Sequence, residues 1–229
     1  MRKYILGIAL AAALMCGTKS YAQYNREYFF WVGRSCMMNN DYQEAIRTLN
    51  TLLRFDENAF EGYFLRGIAK YNLDDLLGAD TDFSAAIVKN PVFTTAYIYR
   101  ALTRTRMGNY DDALQDFREA IDLRPDLPDA YYSRGYTRLQ NKQYEEAIED
   151  FDKFIFQENK VADAYIGRGT AYLYLKDTVR ALENFDQAIR TNRVTVGGAT
   201  CKPSREVRIG DVIAVKRMPV VYQYKVLNL

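Results

Sequence analysis

The sequence contains no histidine, and that absence removes several chemistries at once. Serine and cysteine nucleophiles that rely on an imidazole base cannot be assembled, and ordinary zinc sites lose their usual nitrogen ligand. Cysteine is scarce: Cys16, Cys36 and Cys201 are too few and too scattered to specify a disulfide framework. Cys36 reads as a small apolar helix residue. Long apolar runs are nearly lacking too, since Tyr4–Met15 is too short to span a bilayer. Charge of one sign is not in excess overall, at +2. It is unevenly placed, however. Residues 1–25 hold three basic residues and no acid, and 196–229 hold six against two, which leaves 26–195 acidic. The acid pairs Asp74-Asp75, Asp111-Asp112 and Glu145-Glu146 fall where a helix is about to start or has just started, and there negative charge complements the helix dipole. No catalytic, metal or cofactor site is expected from this inventory, and the chain does not read as an enzyme.

What is present is a period. From Arg26 to Thr195 the chain repeats every thirty-four residues with no insertion or deletion, giving units 26–59, 60–93, 94–127, 128–161 and 162–195. Aligned, they show an aromatic column (Phe29, Tyr63, Tyr97, Tyr131, Tyr165), a small column (Gly33, Gly67, Ala101, Gly135, Gly169) and an alanine column (Ala45, Ala79, Ala113, Ala147, Ala181). A bulky column follows (Leu49, Phe83, Phe117, Phe151, Phe185), then Leu52, Ala86, Ala120, Phe154 and Ala188. Apolar and small residues recur at helical spacing in each half of a unit, and a polar break such as Gly108-Asn109 or Asn141-Lys142 separates the halves. Asp41, Asp75, Asn109 and Asp177 are expected to cap second helices. A fixed period of this size predicts an all-α solenoid of five helix-turn-helix repeats.

These columns resemble the tetratricopeptide repeat (TPR) family in order and spacing over 26–195. One family column departs: the tyrosine expected three residues after the small column is present as Tyr172 alone, with Cys36, Lys70, Arg104 and Arg138 in the other units. The resemblance implies a non-enzymatic protein–protein interaction scaffold that holds a partner peptide or protein segment in a concave groove lined by first helices. It places Phe30, Phe64, Ile98, Tyr132 and Ile166 in one row of that groove, and Arg34, Tyr71, Arg106, Tyr136, Gln140 and Tyr174 further along. The binding residues expected are Arg34, Tyr71, Arg106, Tyr132, Tyr136, Gln140 and Tyr174. Some family members use a Lys/Asn carboxylate clamp here. This chain has Phe30 and Arg34 instead, so an extended or helical segment with apolar anchors is the expected partner.

One further column is polar. Arg66, Arg100, Arg134 and Arg168 directly precede the small column, and Asp82, Asp116, Asp150 and Asn184 stand in the second helices. Paired, they would tie helices together through bidentate hydrogen bonds.

The ends differ from the repeats. Arg2 and Lys3, the apolar run and Ser20-Tyr21-Ala22 read as a signal peptide over 1–22, cleaved before Gln23 for export to the periplasm or outside the cell. The alternative is a lipoprotein anchored at Cys16. The repeat domain then covers 23–193, and 194–229 reads as a small, basic, β-rich tail, beginning with a hairpin across Gly197-Gly198. The stretch from Asn192 to Ile213 resembles the strand half of the alpha-L RNA-binding motif. That resemblance implies an alternative function, RNA binding through Arg193, Lys202, Arg205, Arg208, Lys216 and Arg217, with the repeats recruiting partners.

Overall fold

The structure is a computed structural model that describes the backbone of residues 18–191, 194–196, 199–200, 212–217 and 220–225, with side chains from 26 to 191. Among the described residues there are ten helices, spaced by the sequence period. First helices are α1 (Thr18–Met38), α3 (Phe60–Asn72), α5 (Thr94–Arg106), α7 (Pro128–Gln140) and α9 (Ala162–Tyr174). Second helices are α2 (Tyr42–Phe55), α4 (Leu76–Lys89), α6 (Tyr110–Leu123), α8 (Tyr144–Gln157) and α10 (Thr178–Arg190).

The chain forms two compact units, one ending at Met107 and the other starting at Gly108. The third repeat is therefore divided, with α5 in the first unit and α6 in the second. In the first, α1 packs on α2, α2 on α3, α3 on α4 and α4 on α5, and α3 also neighbours α1 and α5. In the second, α6 to α10 pack in the same sequential way, and α7 lies beside α9.

Each repeat turns at the same place. Asn40, Asp74, Gly108, Lys142 and Lys176 all have positive φ, between 59° and 80°. This left-handed residue lets the chain close the preceding helix with a six-residue backbone bond, seen from Asp41 N to Cys36 O, Asp75 N to Lys70 O, Gln143 N to Arg138 O and Asp177 N to Tyr172 O, each at 2.9 Å. The next helix is then opened by a carboxylate. Asp41 accepts from the Glu44 amide, Asp75 from that of Gly78 and Asp177 from that of Arg180. Asn109 makes no such cap bond.

The core is the columns themselves. Leu49, Phe83, Phe117, Phe151 and Phe185 are buried, as is the whole alanine column. The small column exists because the bulky one presses on it. A Cβ on Gly67 would lie 2.7 Å from the Phe83 ring, and one on Gly169 2.8 Å from Phe185.

The arginine column is paired as its sequence suggests. Arg66 donates from Nε (2.8 Å) and Nη2 (2.6 Å) to the two oxygens of Asp82, and Arg134 does the same to Asp150 at 2.8 and 2.7 Å. Both carboxylates are buried, and each holds a second cation: Lys70 on Asp82 at 2.8 Å, Arg138 on Asp150 at 2.7 Å. In the fifth repeat Arg168 Nε donates to Asn184 Oδ1 at 2.7 Å.

In the tail, β1 (Val194–Val196), β2 (Ala199–Thr200), β3 (Val212–Arg217) and β4 (Val220–Lys225) pair in the order β2-β1-β3-β4, all antiparallel. Val196 stands opposite Ala199 and Val194 opposite Val215. The Gly197-Gly198 turn and the segment 201–211 lie outside the described residues, as do residues 1–17 with Cys16.

Candidate functional site

A first helix has one face against its own second helix and another against the neighbouring first helices, and what remains is free for a partner. Much of the row nearest the core is taken by packing. Ile98 and Ile166 are buried, while Phe30, Phe64 and Tyr132 are partly so. Phe64 lies 4.8 Å from Phe93 and 5.4 Å from Tyr99, ring centre to ring centre, both edge-on.

In the first unit, Arg34 is exposed and its guanidinium lies 5.5 Å from the centre of the Trp31 ring, itself 61% exposed. Tyr71 and Arg106 are brought together. The Arg106 guanidinium sits 4.5 Å above the Tyr71 ring, donates to Asp74 Oδ1 at 2.6 Å and to the Tyr71 carbonyl at 3.2 Å. This cation-on-ring stack joins α5 to the turn after α3 and leaves its outer side exposed.

In the second unit, Tyr132 and Tyr136 meet edge-on at 5.1 Å and lean inward on Phe154 and Phe151. The Tyr136 hydroxyl donates to the Asp163 carbonyl at 3.0 Å, which fixes α7 to α9. These two tyrosines are half-buried and serve packing first. Gln140 and Tyr174 are exposed, and Tyr174 stacks flat on Tyr144, 4.8 Å away with 7° between the planes. Tyr144 and Trp31 were not singled out from the sequence. Arg34, three residues after Trp31 on α1, is the signal that could have found Trp31, whereas Tyr144 on α8 meets Tyr174 across two helices and no helical spacing marks it.

Burial pushes the Cys36 thiol up, and the nearby Asp41 and Glu44 carboxylates add to it. The Arg180 guanidinium is held above its ordinary value by hydrogen bonding to Tyr172 and then by Asp177, its ion-pair partner at 2.6 Å.

Of the basic tail residues, Arg193, Lys202, Arg205 and Arg208 lie outside the described residues, and Lys216 and Arg217 are placed by backbone alone, on β3. Among the described residues no helix is long and apolar enough to cross a membrane.

Comparison with protein families matches residues 101–142 to the TPR repeat and residues 135–193 to the tetratricopeptide repeat. Comparison with curated proteins returns no match. Among solved structures, MamA from Desulfovibrio magneticus RS-1 is similar at 22% identity with a TM-score of 0.69, covering 73% of this chain and 94% of that one. YrrB, described as a TPR protein with an unusual peptide-binding site, is similar at 20% identity with a TM-score of 0.63, covering 71% of this chain and 84% of its own. Pseudomonas aeruginosa pilF is similar at 16% identity and a TM-score of 0.66, with 74% and 78% covered. At these identities the likeness is one of fold.

Proposed function

We propose that this chain is a non-enzymatic scaffold that holds an extended or helical segment of a protein partner on its first-helix faces. The observation that carries the reading is a set of stacked aromatic and cationic side chains on or next to those faces: exposed Arg34 over exposed Trp31, exposed Arg106 over half-buried Tyr71, and exposed Tyr174 on half-buried Tyr144 of α8, with Gln140 exposed on α7. Aromatic and arginine side chains dominate interface energies, and here they are already held in place by stacking, so less ordering is lost on binding. The peptide binding described for YrrB is in keeping with this.

The test is selection from a displayed peptide library with the full chain, followed by affinity measurement on Arg34→Ala, Arg106→Ala and Tyr174→Ala. Exposed stacked anchors of this kind should each cost about tenfold, the equivalent of about 1.4 kcal/mol. Selected peptides that bind every variant as tightly as the wild type, with unchanged helicity, would remove the faces from consideration.

The same reading takes residues 1–22 as a signal peptide and the mature protein as periplasmic or secreted. Cleavage before Gln23 falls within α1 and would leave 23–38 of it. The mass of the mature chain from its native host separates a Gln23 start from a lipid-modified Cys16 and from an uncleaved chain.

A further inference from the structure

In three repeats the arginine of the polar column reaches backwards as well as inwards. Arg66 Nη1 donates to Asn50 Oδ1 at 2.6 Å, Arg100 Nη1 donates to Ser84 Oγ at 2.9 Å, and Arg168 Nη1 is bonded to Asp152 Oδ1. The acceptors all stand at one place in the preceding unit, sixteen residues upstream. For Arg134 that place holds Arg118, a donor with no acceptor to offer.

The consequence is visible around Arg134. Its Nε and Nη2 are satisfied by Asp150, and Nη1 has no acceptor among the described residues. The residue is 8% exposed and lines a cavity of about 340 Å³ between α6, α7 and the start of α8, with Arg118 and Arg138 also in the wall. Arg118 itself bonds to the neutral Gln115. Asp150 lies behind, already shared by Arg134 and Arg138. Asp111 and Glu146 also line the cavity; both are exposed. They bring the charge close to balance, so a ligand gains from directed hydrogen bonds at the guanidinia rather than from a strong field, and binding should be weak and salt-sensitive.

We infer that this cavity is a site for a small oxyanion, a carboxylate or phosphate group, that bridges Arg134 Nη1 and Arg118 and supplies the acceptor that Asn50, Ser84 and Asp152 supply in the other repeats. The planar forks of two guanidinia match the oxygens of either group. The site is separate from the exposed first-helix faces and does not depend on their function.

The test uses the full chain and its thermal unfolding midpoint, because a ligand that binds only the folded state raises it. Sodium phosphate, sodium acetate and an acidic tetraglutamate peptide are each compared with sodium chloride at matched ionic strength. A rise of a few degrees with phosphate alone assigns the site to free phosphate; a rise with acetate or the peptide assigns it to a carboxylate. Arg118→Asn installs the missing acceptor on an exposed residue. It should raise the midpoint in chloride and abolish the oxyanion response, whereas Arg124→Asn, the same charge change elsewhere on α6's end, should keep it. No response of the wild type to any of the three, or an equal response in Arg118→Asn, overturns the inference.

Discussion

Replacing Asp150 by alanine should be the most damaging removal of a single charge in the second unit. The carboxylate is fully buried; Oδ1 accepts from Arg134 Nη2 at 2.7 Å, and Oδ2 accepts from Arg134 Nε at 2.8 Å and from Arg138 Nη1 at 2.7 Å. Its loss strands two guanidinium groups whose side chains are 10% and 21% exposed. Breaking one side of a buried ion pair costs about 3–5 kcal/mol. Arg138 is the wetter of the two and keeps a bond to the Glu146 carbonyl at 3.1 Å, so the lower half of that range, about 3–4 kcal/mol, is expected. The fifth repeat offers a built-in control, because it solves the same position with Asn184 against Arg168 and has Tyr172 where Arg138 stands. Arg168 also keeps an ion pair with Asp152, so the full copy of that arrangement is Arg138→Tyr with Asp150→Asn and Arg118→Asp. This triple variant should lose less than about 1.5 kcal/mol, since Arg134 retains a carboxylate. Urea unfolding followed by far-ultraviolet circular dichroism gives both numbers, with equal m-values as the condition for comparing them. A loss below about 1 kcal/mol for Asp150→Ala, within the range of solvated surface pairs, would refute the burial argument. So would a triple variant as unstable as the single one.

Lys142→Gly should stabilise by about 1 kcal/mol, because Lys142 sits at φ 61°, a region that costs side-chain-bearing residues about 1–2 kcal/mol; an unchanged or lower urea midpoint would contradict this. Gly67→Ala should cost about 1–3 kcal/mol by driving a methyl to 2.7 Å from the Phe83 ring, and an unaltered melting temperature would show that the ring yields freely. Cys36, with its thiol pKa raised, has less thiolate at pH 8 than a free cysteine and should alkylate more slowly, with the rate recovering as pH rises. Peptide mass spectrometry measures this site by site, and Asp41→Asn should speed the reaction; a rate equal to that of free cysteine would show that neither burial nor the carboxylates matter.

The columns made the fold legible because they record backbone distance. A ring at Phe83 or Phe185 leaves no room opposite for more than glycine, so the small and bulky columns appear together. The departure from the family tyrosine is legible once the buried acid is considered. Lys70 and Arg138 stand in that column where Asp82 and Asp150 are buried and need a second cation. Tyr172 stands there where Asn184 is neutral, and in the first repeat Cys36 accompanies Thr48 and Val32 in the acid and arginine columns. What stayed hidden was the backbone angle of the turn, although the polar break marks its place. Asn40, Asp74, Gly108, Lys142 and Lys176 share a backbone angle and no side-chain chemistry, because the six-residue bond that closes the helix dictates the angle and the residue merely tolerates it. The candidate site was half legible for a similar reason. Helical spacing assigns a residue to a face, yet whether Tyr136 turns outward or inward is decided by Phe151 and by the Asp163 carbonyl on α9, which single-helix periodicity does not contain.

The polar column also explains why neighbouring repeats are coupled by more than apolar contact. Through Nε and Nη2 an arginine ties the two helices of its own repeat, and through Nη1 it ties that repeat to the one before. In a repeat array, stability is a sum of intrinsic terms and nearest-neighbour interface terms, and the Nη1 bond belongs to the second kind. Where Arg118 faces Arg134, that interface term is missing from the chain itself, although the apolar columns on both sides are intact: Phe117 and Phe151 are as buried as their counterparts. Selection for folding alone would favour an acceptor at 118, as at 50, 84 and 152. A repeat junction that keeps its core but leaves its polar tie open is one whose stability an outside acceptor can raise, and the coupling between α6 and α7 is therefore the element of this fold most responsive to a small oxyanion.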